Sequence, residues 1–173
     1  FEEVERRSFT VTVKADGVAA DTGFYRDTPV AQPAEIRVTG PRTEVDRIAQ
    51  AVAEIGEDEA LSETKRYSEV PVILLDAAGN VLEAADMGLT LSADRVEVDI
   101  PVYEVRSIGL AVEFIGPGRN FDTEWFYDRI ELSIDRLQVV GSAAMFDHLE
   151  DPLTISTFDV SVLDMNWESP PVD

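Results

Sequence analysis

Hydrophobic and polar residues alternate along much of this chain, and the alternation predicts strands. Phe9 to Ala15 (FTVTVKA) has the period of two expected of a half-buried strand. Glu35 to Thr39 predicts a second, shorter strand. After Pro41 the rhythm changes: Val45, Ile48, Ala49, Val52 and Ile55 recur at helical spacing and predict one amphipathic helix, with Pro41 in its first turn. Val70 to Leu75 (VPVILL) is a short apolar run rich in branched residues and predicts a strand. Asp76-Ala77-Ala78-Gly79-Asn80 supplies the Asp and Gly of a tight hairpin turn. Val96, Val98, Ile100 and Val102 then alternate strictly with charged residues or Pro, the clearest strand in the sequence.

The order of these elements returns later in the chain. Arg7-Ser8-Phe9 with Val11, Val13 and Gly17 matches Arg106-Ser107-Ile108 with Leu110, Val112 and Gly116. Phe24-Tyr25 matches Phe126-Tyr127, and Glu35 to Gly40 matches Arg136 to Gly141. The offset between paired residues runs only from 99 to 102, so the anchors keep order and spacing. In the second copy Leu110 to Phe114 and Leu137 to Val140 predict strands, and Ser142 to Leu149 a helix of two turns at most. Leu153 to Leu163 predicts a strand corresponding to Val70–Leu75. The expected organisation is therefore two tandem β-rich units, residues 1–103 and 104–173, each with one short helix. The fold class is mainly β, or α+β under stricter counting. Ile100 to Arg106 joins the units without a Gly/Ser linker, which predicts an elongated, fairly stiff pair. The second unit stops before its return strand, and the chain starts at Phe1 instead of Met. Both features predict a piece of something longer.

Composition narrows the function. The 173 residues include 35 acidic and 14 basic side chains, a formal charge of −21, which argues against nucleic acid as a partner because no basic surface exists for counterion release. The 45% hydrophobic content supports a core, yet no apolar run is long enough to span a bilayer. With no Cys there is neither disulfide nor thiolate chemistry, and one His beside carboxylates makes a poor zinc site. His148, next to Asp147, reads as a helix-surface histidine, because nothing around it supplies a nucleophile and oxyanion hole. Glu57-Asp58-Glu59 and Asp147, Glu150 and Asp151 are hard-oxygen clusters, but neither has the spacing of a dedicated calcium loop and both read as solvated surface. Gly116-Pro117-Gly118-Arg119-Asn120 lacks the Lys-Ser/Thr of a phosphate loop and reads as a turn. Phe24-Tyr25 is assigned first to packing. Trp125, Phe126 and Tyr127 form the candidate partner surface, since three adjacent strand residues cannot all face one side. Arg6, Arg7 and Arg106 stand at strand entries and are expected to pair with carboxylates. No catalytic residue, cofactor or metal site is expected.

The ordered pattern resembles the YbbR-like domain family. The stretches that carry the resemblance are Gly23-Phe24-Tyr25, Pro33 to Pro41, Val70 to Leu82 and Val96 to Val102. The second unit follows the pattern to about Asp164, without the prolines before the strand and after Gly141. The resemblance implies β-rich, non-catalytic domains held outside the cytoplasmic membrane by an anchor that lies outside this sequence. The implied role is binding and regulation, and the implied partner a membrane-bound diadenylate cyclase, which makes cyclic di-AMP, or another cell-envelope protein. The alternative is a structural cell-surface repeat, with calcium as its candidate stabiliser.

Overall fold

A computed structural model describes residues 2–116 and 131–159. The chain divides into two compact units, Phe1–Glu104 and Val105–Asp173. Both are built mainly from strands, and the described residues contain two helices of one turn each.

In the first unit the predicted strand at Phe9 reaches back to Val4, giving β1 (Val4–Lys14), whose residues alternate between exposed and more buried positions. β2 (Val18–Ala20), β3 (Phe24–Arg26) and β4 (Val30–Gln32) are short. β5 (Glu35–Pro41) lies antiparallel to β1, with Phe9 opposite Ile36 and Arg7 opposite Val38. Ile36, Val38 and Gly40 point inward. Gly40 is required by close approach: a Cβ there would come within 2.7 Å of Leu89 Cδ2 and 3.0 Å of the Gly88 carbonyl oxygen.

The structure corrects the helix expected after Pro41. α1 spans only Arg42–Val45, with Pro41 as its N-cap instead of a first-turn residue. Gln50–Glu54 is then a strand, β6. Three residues expose the error. Ala49, on the expected apolar stripe, is exposed, while Ala51 and Ala53, off it, are buried. Ala51, Val52 and Ala53 are all buried because β6 runs between two neighbours and is covered on both faces. A strand buried on both sides loses its period of two and mimics a helical pattern.

β7 (Glu59–Leu61) pairs in parallel with β2. β8 (Lys65–Leu75) contains the predicted strand and extends it toward the N-terminus. It turns into β9 (Val81–Leu82) through the expected hairpin, where Gly79 takes φ +84°. Asp76 Oδ1 accepts hydrogen bonds of 2.9 Å from the backbone N–H of Ala78 and of Asn80. β10 (Thr90–Leu91) edges β5, and β11 (Arg95–Ile100) carries the predicted alternation with Val96, Val98 and Ile100 buried. Val102 falls beyond Pro101 and opens the next strand, β12 (Val102–Ile115). The sheet order is β10-β5-β1-β6-β8-β11-β4, with β9 attached to β8. Two long strands change partners along their length. β1 pairs with β5 through Val4–Thr10 and then in parallel with β6 through Val11–Lys14. β8 pairs with β11 through Lys65–Pro71 and then with β6 through Val72–Leu75. These handovers carry one sheet around a core that includes Ile36, Val38, Val98 and Ile100.

In the second unit, β13 (Arg136–Gly141), α2 (Ala143–Phe146) and β14 (Leu153–Asp159) follow β12. Ser142 caps α2, its Oγ accepting from the Met145 N–H. The strand order is β13-β12-β14, and β14 runs parallel to β12 with Leu110 opposite Leu153. This corrects the expected correspondence of Leu153–Leu163 with Val70–Leu75. β14 follows a helical turn and lies parallel to the first strand of its unit, which is the position of β6 and not of β8. A matching hydrogen bond joins the two units' patterns: Val11 N–H donates to Ala34 O, and Leu110 N–H to Asp135 O, each at 2.8 Å. Residues beyond Asp159, including Val160, Val162 and Trp167, lie outside the described residues.

Candidate functional site

Polar chemistry on the first unit is organised as ion pairs between neighbouring strands. Glu59 on β7 receives two donors from β8, the Lys65 ammonium and the Tyr67 hydroxyl, both on its Oε1. Lys65 Nζ also stands 3.6 Å from Glu57 and 4.7 Å from the centroid of the Tyr67 ring. Hydrogen bonding to Lys65 and then to Tyr67 holds the Glu59 carboxyl below its ordinary pKa. Partial burial, with the Glu59 carboxylate beside it, pushes the Tyr67 hydroxyl up to about 12. On the neighbouring strand pair Arg66 grips Asp99 with two parallel hydrogen bonds, 2.6 and 2.8 Å, and the guanidinium lowers the Asp99 pKa. The pair is a fork on a carboxylate, set directly across β8 and β11. Each group is satisfied by its partner, so the arrangement suits fastening strands and offers no poised acid or base.

A second network gathers around α1. Arg7 reaches Glu5 at 2.5 Å and Asp46 at 2.7 Å, and Arg42 reaches Glu3 at 3.0 Å. The expectation for Arg7 is met. Arg106 takes another role as well, with its guanidinium 4.6 Å from the ring centroid of the buried Phe146.

The acidic clusters do not converge. Glu57, Asp58 and Glu59 follow β6, not a helix, and Glu59 is engaged by Lys65 and Tyr67. A shallow depression of about 160 Å³ beside them is lined by Lys14, Asp16, Gly17, Glu54 and Glu57, among others. Among the described residues no three acidic or histidine side chains are grouped to hold a metal ion. Asp151 Oδ1 accepts from the Gly109 N–H at 3.0 Å, which fixes a loop. His148 is exposed in the turn after α2.

The aromatic pair on β3 divides its work. Phe24 packs against the core, while Tyr25 is 49% exposed and sits opposite Tyr103 on β12. The candidate surface Trp125, Phe126 and Tyr127 lies outside the described residues, as does Pro117 to Asn120. The Glu59–Lys65–Tyr67 cluster and the Arg66–Asp99 fork were missed in the sequence. Their only signal is opposite charge at alternate strand positions, which becomes specific once the register is known.

The profile of the YbbR-like protein family matches residues 9–100, just over half of the sequence and nearly all of the first unit. The chain belongs to the YbbR-like family. A solved YbbR-like protein from Streptococcus pneumoniae is similar at 15% identity, with a TM-score of 0.44 over 58% of this chain and 48% of that one. The aligned part thus spans less than half the length of that protein. No curated protein matches the chain.

Proposed function

We propose that this chain is a non-catalytic binding and regulatory module that works outside the cytoplasmic membrane. On this reading it consists of two tandem YbbR-like units, Phe1–Glu104 and the residues that follow. The observation that carries it is membership of the YbbR-like family over residues 9–100. The shared strand order and the parallel first strand of each unit support the second copy: β5-β1-β6 in one, β13-β12-β14 in the other. Polar groups that fasten strands to one another, with carboxylates matched to guanidinium or ammonium partners, suit a contact module better than a reaction centre. The partner we assign is a membrane-bound diadenylate cyclase, and the module's action is to change its output of cyclic di-AMP.

Co-expression of the full-length gene with the diadenylate cyclase of the same genome tests this. Cyclic di-AMP is measured with residues 9–159 present and deleted, at matched expression of both proteins. A change in nucleotide output on deletion is expected. Unchanged output from an active cyclase would sink the regulatory reading and leave a structural surface role.

A further inference from the structure

Acids outnumber bases in this chain by 35 to 14, so an arginine without a partner stands out. All but two of the described arginines are engaged by a carboxylate, a backbone carbonyl or an aromatic ring. The two are Arg6 on β1 and Arg37 on β5, both exposed, and neither guanidinium has an ion pair or hydrogen bond. For Arg6 this corrects the pairing expected from the sequence. The register sets Arg6 opposite Thr39 and Arg37 opposite Ser8, all four on the outer face of the strand pair. The two arginines are therefore diagonal neighbours, about 7–8 Å apart at the backbone. The exposed Thr90 of β10, opposite Thr39, adds a third hydroxyl to the surroundings. Glu35 stands on the same face two residues from Arg37 and joins no ion pair.

We infer that Arg6 and Arg37 form a docking site for an extended acidic segment of a partner polypeptide, with carboxylates at alternate positions. In an extended chain residues i and i+2 face the same way and lie about 6.6 Å apart, which matches the spacing of the two arginines. The same sheet already shows the contact, since Arg66 grips Asp99 across β8 and β11 with two parallel hydrogen bonds. Phosphate fits the face less well. Main-chain N–H groups lie in the plane of a sheet, so this surface offers side-chain donors and no backbone cradle. The net charge of −21 opposes an acidic partner at long range, but ordinary salt screens that repulsion beyond about 8 Å, and the guanidinium forks act at contact. The pair is also no demand of the fold. Matching Arg7 with Arg106 and Glu35 with Arg136 puts Val105 and Gln138 at the places of Arg6 and Arg37. The inference goes beyond the regulatory reading and holds whichever protein supplies the segment.

The probe is a hexapeptide of alternating glutamate and serine, titrated into the full chain at physiological salt and followed by NMR of the backbone amides. Saturable shifts are expected at Arg6, Ser8, Arg37 and Thr39. The same peptide with glutamine for glutamate should not produce them. Arg6→Gln with Arg37→Gln, both at exposed positions, should weaken binding about fivefold or more and leave the melting temperature unchanged. Arg47→Gln, whose guanidinium already meets Glu44, should leave binding as it is. Absence of saturable shifts overturns the proposal, as does equal binding of the glutamine peptide or indifference to the double substitution. Tighter binding of trimetaphosphate, an anion of equal charge, at the same residues would give the site to a phosphate ligand instead. A dimer of the chain alone that the double substitution dissolves would give it to a second copy. The regulatory reading stands or falls separately, on nucleotide output.

Discussion

Among the described residues, the two units share a strand order but bury very different amounts of side chain. Every buried hydrophobic residue described lies in the first unit except Ile108 and Phe146. In the second, Ile134, Leu137, Val140, Ile155 and Phe158 are all exposed. The comparison separates topology from stability. Three strands in the order β5-β1-β6 define a pattern, but enclosing a core takes the further strands that β8, β10 and β11 provide in the first unit. An isolated face of a sheet leaves its apolar side chains in contact with water, and each buried one stabilises by roughly 1.5–3 kcal/mol relative to exposure.

The sharpest way to break the comparison is to remove a core side chain from each unit. Ile100→Ala, at a fully buried position, is expected to destabilise the first unit by about 2–5 kcal/mol. Leu137→Ala, at a position 46% exposed, should change the second unit by no more than about 0.5 kcal/mol. Urea unfolding read by hydrogen exchange in each unit measures both, and equal losses would show that the second unit has a comparable core.

A smaller effect tests the paired glycines. Gly40→Ala drives a Cβ toward the Gly88 backbone and should cost about 1–3 kcal/mol. Gly141→Ala meets only the end of the flexible Met145 side chain, at 2.1 Å from its Cε, and should cost about 1 kcal/mol or less. A larger loss at Gly141 would mean that Met145 is held as firmly as the Leu89 segment.

Alkali should single out the first unit. The Tyr67 hydroxyl titrates near 10.0 when unperturbed and at about 12 in the fold, so its contribution is complete below pH 10 and declines as pH rises toward 12. Tyr67→Phe should remove that part of the decline, as followed by thermal melts at pH 9 and pH 11. Glu59 and Asp99 have the opposite sign. Their carboxyls are lowered in the fold, so their contribution is present above the ordinary carboxylate range and is lost as acid protonates them. The smallest expected effect is that of calcium. With the acidic side chains dispersed or already paired among the described residues, millimolar calcium should leave the melting temperature where sodium of equal ionic strength leaves it. A calcium-specific rise would favour the structural surface repeat over the regulatory module.

How much was legible depends on whether the information is local. The hairpin at Asp76–Asn80 was, because a carboxylate accepting from Ala78 and Asn80 and a glycine at positive φ involve only adjacent residues. β11 was legible too, since one face meets the core and the other does not, which writes burial directly into alternation. β6 was not, because burial on both faces erases the alternation that would have marked it. The Glu59–Lys65–Tyr67 cluster and the Arg66–Asp99 fork stayed hidden for a related reason: they join different strands, and the register that brings them together is set by the core.

Sequence alone determined the β-rich class, the turns and the family pattern, because these follow from propensity and periodicity along the chain. Only the tertiary structure decided that the residues after α1 form a central strand, that β14 runs parallel to β12, and which carboxylate each cation meets. Those outcomes depend on which strand lies beside which, and the free energy that selects a neighbour comes from side chains far apart in sequence being buried together.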